Sequence, residues 1–76
     1  MTANAILIDA RGHRCPVPTL RLRRALEGAS AGTHIRLLAD DPLARIDVPH
    51  FAGQIGADVL EVVAVGAELS FLVVLR

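Results

Sequence analysis

The chain has 76 residues, 53% hydrophobic and 3% aromatic, with eight arginines, eight acids, one cysteine and a net charge of zero. That length gives one domain, residues 1–76, near the lower limit for a core without staples, and the apolar share argues against disorder. A single cysteine excludes an internal disulfide and no Cys/His spacing suits zinc, so a cytoplasmic setting is expected, with no metal and no cofactor.

Residues 1–9 lack a basic start and a long apolar run, so no secretory signal is read there. Val59–Leu75 is the one membrane-like stretch. It is short for a span and is broken by Glu61, Gly66 and Glu68, so it reads as two strands and no membrane partner is expected. Charge is uneven. Residues 1–26 carry five arginines against Asp9, net +4, and residues 27–76 carry three against seven acids, net −4.

The apolar run Ala5–Ala10 predicts a first strand. Pro16 to Ala29 predicts a helix, because proline suits a first helical position and Leu, Arg, Ala and Glu follow. Gly28 and Gly32 end it. Thr33–Ala39 predicts a second strand, and Asp40–Asp41–Pro42 a turn. Asp47 is the expected N-cap of a second helix, with Pro49 in its first turn, Gly53 inside and Gly56 as the stop. Asp58–Val65 and Glu68–Arg76 are β-branched and apolar, and Gly66–Ala67 between them suits a hairpin. The order β-α-β-α-β-β predicts an α/β (α+β) two-layer sandwich, a mixed four-stranded sheet with two helices on one face.

The one cysteine lies in "GHRCPVP". With Cys15 as N-cap, Pro16 and Pro18 fall at the first and third helical positions. They remove two of the backbone N–H groups that a helix start leaves unpartnered, and they stiffen the first turn. The thiol then stands at the positive end of a helix dipole with Arg14 and Arg11 near in sequence, which favours thiolate. The other reading is a buried, inert cysteine; the two prolines and the arginines weigh against it.

Which chemistry would use such a thiol? A dithiol oxidoreductase needs a resolving cysteine, and none exists. A cysteine hydrolase needs a placed histidine base, whereas His13, His34 and His50 are scattered. Carrying a group on one exposed thiolate, for example sulfane sulfur as a persulfide, needs little else. On the first helix Leu22, Ala25 and Leu26 share a face with Pro18 and should meet the sheet. Val17 and Leu20 fall opposite, among Arg21, Arg24 and Glu27, and read either as a docking rim or as scattered surface apolars.

These segments together, "IDARGHRCPVP", "LLADDP" and "IDVPHF", resemble the TusA/SirA-like sulfur carrier family, whose mark is C-P-x-P at a helix start. The resemblance runs from about Leu7 to Arg76. It implies the two-layer sandwich and a sulfurtransferase that holds persulfide sulfur on Cys15, with Gly12, Arg11, Arg14, Pro16 and Pro18 as its support. It implies a donor protein, a cysteine desulfurase or rhodanese, and an acceptor protein. Family routes include tRNA thiolation, molybdenum cofactor assembly and sulfur oxidation. Asp40 and Asp41 match the family's acidic turn and join the candidate docking residues. His13 stands where the family usually has leucine, and reads as a solvated loop residue or as a tuner of the thiol. The tail "SFLVVLR" is more apolar than in the tRNA-thiolation members.

The alternative is a non-catalytic regulatory or binding module using the arginine-rich pole. Nucleic acid is not expected there, since Trp and Tyr are absent and no stacking platform can form; an acidic protein surface suits the pole better. Leu72 and Val74 should face away from Leu69, Phe71 and Val73. A monomer or weak homodimer is expected, with that second sheet face in question.

Overall fold

The computed structural model describes residues 5–14 and 17–76. The expected helix start at Cys15 and Pro16 lies outside the described residues. The elements are β1 (Ile6–Asp9), α1 (Val17–Leu26), β2 (His34–Ala39), α2 (Ala44–Gln54), β3 (Ala57–Val65) and β4 (Glu68–Leu75). The sheet order is β1-β2-β4-β3. β1 and β2 run parallel, and β4 is antiparallel to both β2 and β3. The two-layer sandwich with a mixed sheet is as the sequence predicts. Val59–Leu75 resolves into the β3–β4 hairpin, and among the described residues no helix is long and apolar enough to cross a membrane.

The core lies between the helices and one sheet face. Alternate residues supply the sheet side: Ile35, Leu37 and Ala39 from β2, and Leu69, Phe71 and Val73 from β4. Leu37 and Phe71 are register partners on the two central strands, and both are fully buried. From α1, Pro18, Leu22 and Leu26 are buried at i, i+4, i+8, with Ala25 half-buried, so the predicted apolar face meets the sheet. Burying side chains of this size stabilises a fold by about 1.5–3 kcal/mol each. Thr19 is also buried, beside Pro18.

α2 departs from the reading of the sequence at its start. It begins at Ala44, not after Asp47. Asp41 Oδ1 accepts the Leu43 N–H at 3.0 Å, and the Asp41 carbonyl accepts the Ala44 N–H at 3.0 Å. The acidic turn therefore launches the helix. Asp47 falls in the first turn, where its charge complements the dipole. Pro49 is then interior and deletes one helical hydrogen bond. The helix is held by the small buried stripe Ala44, Val48 and Ala52, a packing effect that propensity does not reveal. α1 ends at Leu26, three residues before the expected Ala29.

The second sheet face is not bare. Leu72 and Val74 are half-buried there, as their alternation requires. Arg36 crosses the same face to Glu61 Oε1 at 2.9 Å and to Ser70 Oγ at 3.0 Å. β3 is an edge strand. Its register with β4 shifts between Val59 and Glu61, which leaves Leu60 as the extra residue of a bulge.

Candidate functional site

Two parallel strands end side by side. Asp9 of β1 is register partner to Leu38 of β2, and the Ala10 N–H donates to the Leu38 carbonyl at 2.8 Å. Each strand is followed by a loop and a helix, so both loops and both helix N-termini open at one end of the sheet. The first connection leads to α1, with residues 10–14 described and Cys15 following them in sequence. The second, residues 40–43, is the acidic turn. Cys15 and Pro16 themselves lie outside the described residues, and their flanks define the site.

Those flanks are tied down. Across the Cys-Pro pair, the Val17 N–H donates to the Arg14 carbonyl at 2.9 Å. The His13 N–H donates to the Ala10 carbonyl at 3.3 Å. Pro18, the second proline of the motif, is fully buried and anchors the start of α1 in the core. Gly12 has φ +84°, in the left-handed region that a side chain disfavours. Its N–H donates to the Asp40 carboxylate, with both oxygens at 2.9 Å. The two loops together line an open groove of about 470 Å³, formed by Gly12, His13, Arg14, Asp40, Asp41, Pro42 and Leu43.

The arginines divide into two sets. Arg11 turns back to Asp9, donating from Nε to Oδ1 at 2.9 Å and from Nη2 to Oδ2 at 2.8 Å, and it also reaches Glu68 at 3.4 Å. The side-chain bonds from Arg11, helped by its backbone N–H, pull the Asp9 carboxyl down to about 2, and the carboxylates push the Arg11 guanidinium up. Arg11 thus spends its charge on two acids. Arg21 donates to the Asp9 carbonyl at 2.6 Å, which pins α1 to the end of β1. Arg14, Arg21, Arg23 and Arg24 form no ion pair among the described residues. All four are exposed, and Leu20 stands among them at 54% exposure while Val17 is half-buried.

Asp40, one of the candidate docking residues, turns its carboxylate to the Gly12 N–H, 28 positions away in sequence. No local pattern carries that contact. The Asp9–Arg11 pair is local, two residues apart, and "IDAR" is the signal that could have found it. His13 is exposed in the groove. His34 starts β2 with Nδ1 2.7 Å from the Gly32 carbonyl oxygen, a structural contact. His50 is exposed on α2, 3.4 Å from the Gln54 side-chain amide.

A parallel β-α-β unit with C-P-x-P in the sequence between its first strand and its helix, closed by an antiparallel hairpin, defines a small class of α+β sandwich. Residues 6–74 match the family described as Sulfurtransferase TusA. A sulfur carrier protein TusA of Allochromatium vinosum is 35% identical over 66 residues, 87% of each chain. A putative sulfur carrier protein of Archaeoglobus fulgidus is 39% identical over 54 residues, 71% of this chain and 70% of that one. A crystal structure of a SirA-like protein from Desulfitobacterium hafniense superposes with a TM-score of 0.80 at 28% identity, covering 91% of this chain and 95% of that one. The chain belongs to the TusA/SirA-like sulfur carrier family.

Proposed function

We propose that this protein accepts sulfane sulfur from a donor protein as a persulfide on Cys15 and passes it to an acceptor protein. The observation that carries the reading is the place of the only cysteine in the chain. In sequence it lies between β1 and α1, three residues after Gly12 and three before Pro18, and the described residues on either side stand at the sheet end where the two helices begin. Helix N-termini favour an anion, and Arg14 next to it in sequence adds positive charge, so a thiolate is the expected state.

The transfer balances without an oxidant or reductant. The Cys15 thiolate attacks the terminal sulfur of the donor's persulfide. A new S–S bond forms, the donor's own S–S bond breaks, and the donor leaves as a thiolate. An acceptor thiolate then repeats the step on the Cys15 persulfide. Gly12, Pro16 and Pro18 hold the loop in this scheme, and Arg14 supplies charge; Arg11, spent on Asp9 and Glu68, supports the loop end rather than the sulfur. A reducing compartment such as the cytoplasm keeps the single thiol available.

Partners dock on the exposed flank of α1. Leu20 and Val17 give apolar contact, and Arg14, Arg21 and Arg24 give positive charge that complements an acidic donor surface. Incubation with a protein persulfide donor, read by intact mass, is expected to add one or more sulfur masses to the wild type. Cys15→Ser is expected to add none. Equal uptake by that variant would refute the reading.

A further inference from the structure

The acidic turn has a duty that its exposure hides. Gly12 sits three residues before Cys15, in a backbone conformation that its neighbours do not impose by crowding: no atom lies within 4 Å of where a Cβ would stand. The left-handed φ of +84° suits the third position of the Ala10–His13 turn, which the His13 N–H closes on the Ala10 carbonyl at 3.3 Å, and the turn leaves the Gly12 N–H free to bond outward. The Gly12 N–H points to the carboxylate of Asp40, both oxygens within 2.9 Å. Asp40 is itself held at the end of β2, one residue past Ala39, which pairs with Leu69. The next residue, Asp41, starts α2 through the Leu43 N–H. One rigid corner of the scaffold thus grips the loop at Gly12, while Pro18 fixes the loop's far end in the core.

We infer that Asp40 is a positioning residue for Cys15: its carboxylate holds the Gly12 amide and so fixes the approach of the cysteine loop to the start of α1. The inference rests on the carrier reading for its functional consequence but not for its geometry. The hydrogen-bond role and a purely electrostatic one have opposite signs. Deleting a nearby negative charge alone would favour the thiolate and lower the thiol pKa. Releasing the loop from the helix start would raise it toward the ordinary free-thiol value of about 8.5.

The test compares wild type, Asp40→Ala and Asp40→Asn, the last keeping an acceptor oxygen without the charge. Cys15 alkylation by iodoacetamide is followed against pH, with hydrogen exchange at the Gly12 amide. Asp40→Ala is expected to raise the apparent thiol pKa, to speed Gly12 exchange, and to slow sulfur uptake about ten-fold, the scale of a modest misplacement of a reacting group. Asp40→Asn is expected to keep Gly12 protected and to stay within about two-fold of wild type in uptake. A thiol pKa that falls in both variants overturns the inference, as does an Asp40→Ala protein with wild-type Gly12 exchange. Should Asp40→Ala not fold, the wild type decides alone: the Gly12 amide resonance must shift with titration of the Asp40 carboxylate, and an indifferent resonance overturns the inference. Wild type that takes up no sulfur refutes the carrier reading and leaves the alkylation and exchange comparison to judge Asp40.

Discussion

The loops after β1 and β2 begin from matching positions on parallel strands, and each leads into a helix. Their chemistry is opposite. The first holds arginines, a left-handed glycine and the cysteine; the second holds two aspartates that face inward onto backbone N–H groups. The second loop is anchored by its own helix, and the first is anchored by the second. The first loop can then carry a glycine at its bend, because Asp40 of the neighbouring loop holds the Gly12 amide.

Three measurements would sharpen or break that contrast. The largest effect belongs to the basic side. Reversing Arg14 and Arg24 to Glu together is expected to slow sulfur acceptance from an acidic donor about ten-fold at low salt, through the association rate, with the gap closing at high salt. A salt-independent loss would place these residues in something other than steering.

Next is a pair of glycines. Gly12→Ala is expected to destabilise by about 1 kcal/mol, because φ is positive there. Gly53→Ala, in α2 with open space around its Cβ position, is expected to stabilise by about 0.5–1 kcal/mol. In a domain of this size each kcal/mol moves Tm by roughly 4–8 °C, so calorimetry resolves both signs. Equal signs would mean that Gly12 is not constrained by its loop.

The smallest effect is acid dependence at the loop's root. Asp9 has its pKa depressed from 3.8 to about 2 by Arg11. A depressed carboxyl contributes stability that is complete above its unfolded value and is lost as pH falls through its folded value. The contribution of this exposed pair should therefore fade between about pH 4 and 2, and Asp9→Asn should flatten that part of the stability curve. An unchanged curve would show that the pair contributes nothing measurable.

The strands and the buried face of α1 were legible because alternation and 3.6-residue spacing are local. Leu22, Leu26, Phe71 and Val73 could be placed from the pattern alone. The start of α2 was not: Asp47 looks suited to a cap by its neighbours, yet the helix begins at Ala44 with Leu43 at its N-cap and no side-chain cap bond, directly after the turn in which Asp41 accepts the Leu43 N–H. The motif cysteine was evident as the only thiol beside two prolines. The grip of Asp40 on Gly12 was not, since it joins residues that only the parallel pairing of β1 and β2 brings together. Arg11 was read from its nearness to Cys15 in sequence, and the fold turned it to Asp9 and Glu68 instead.

The displaced register at Leu60 has its own consequence. β3 runs nine residues along the molecule's border, with Val62, Val63 and Val65 bare to water. A straight ribbon of that composition would zip onto its own kind into fibrils. The extra residue of the bulge and the acidic side chain of Glu61 beside it spoil the alignment such growth requires.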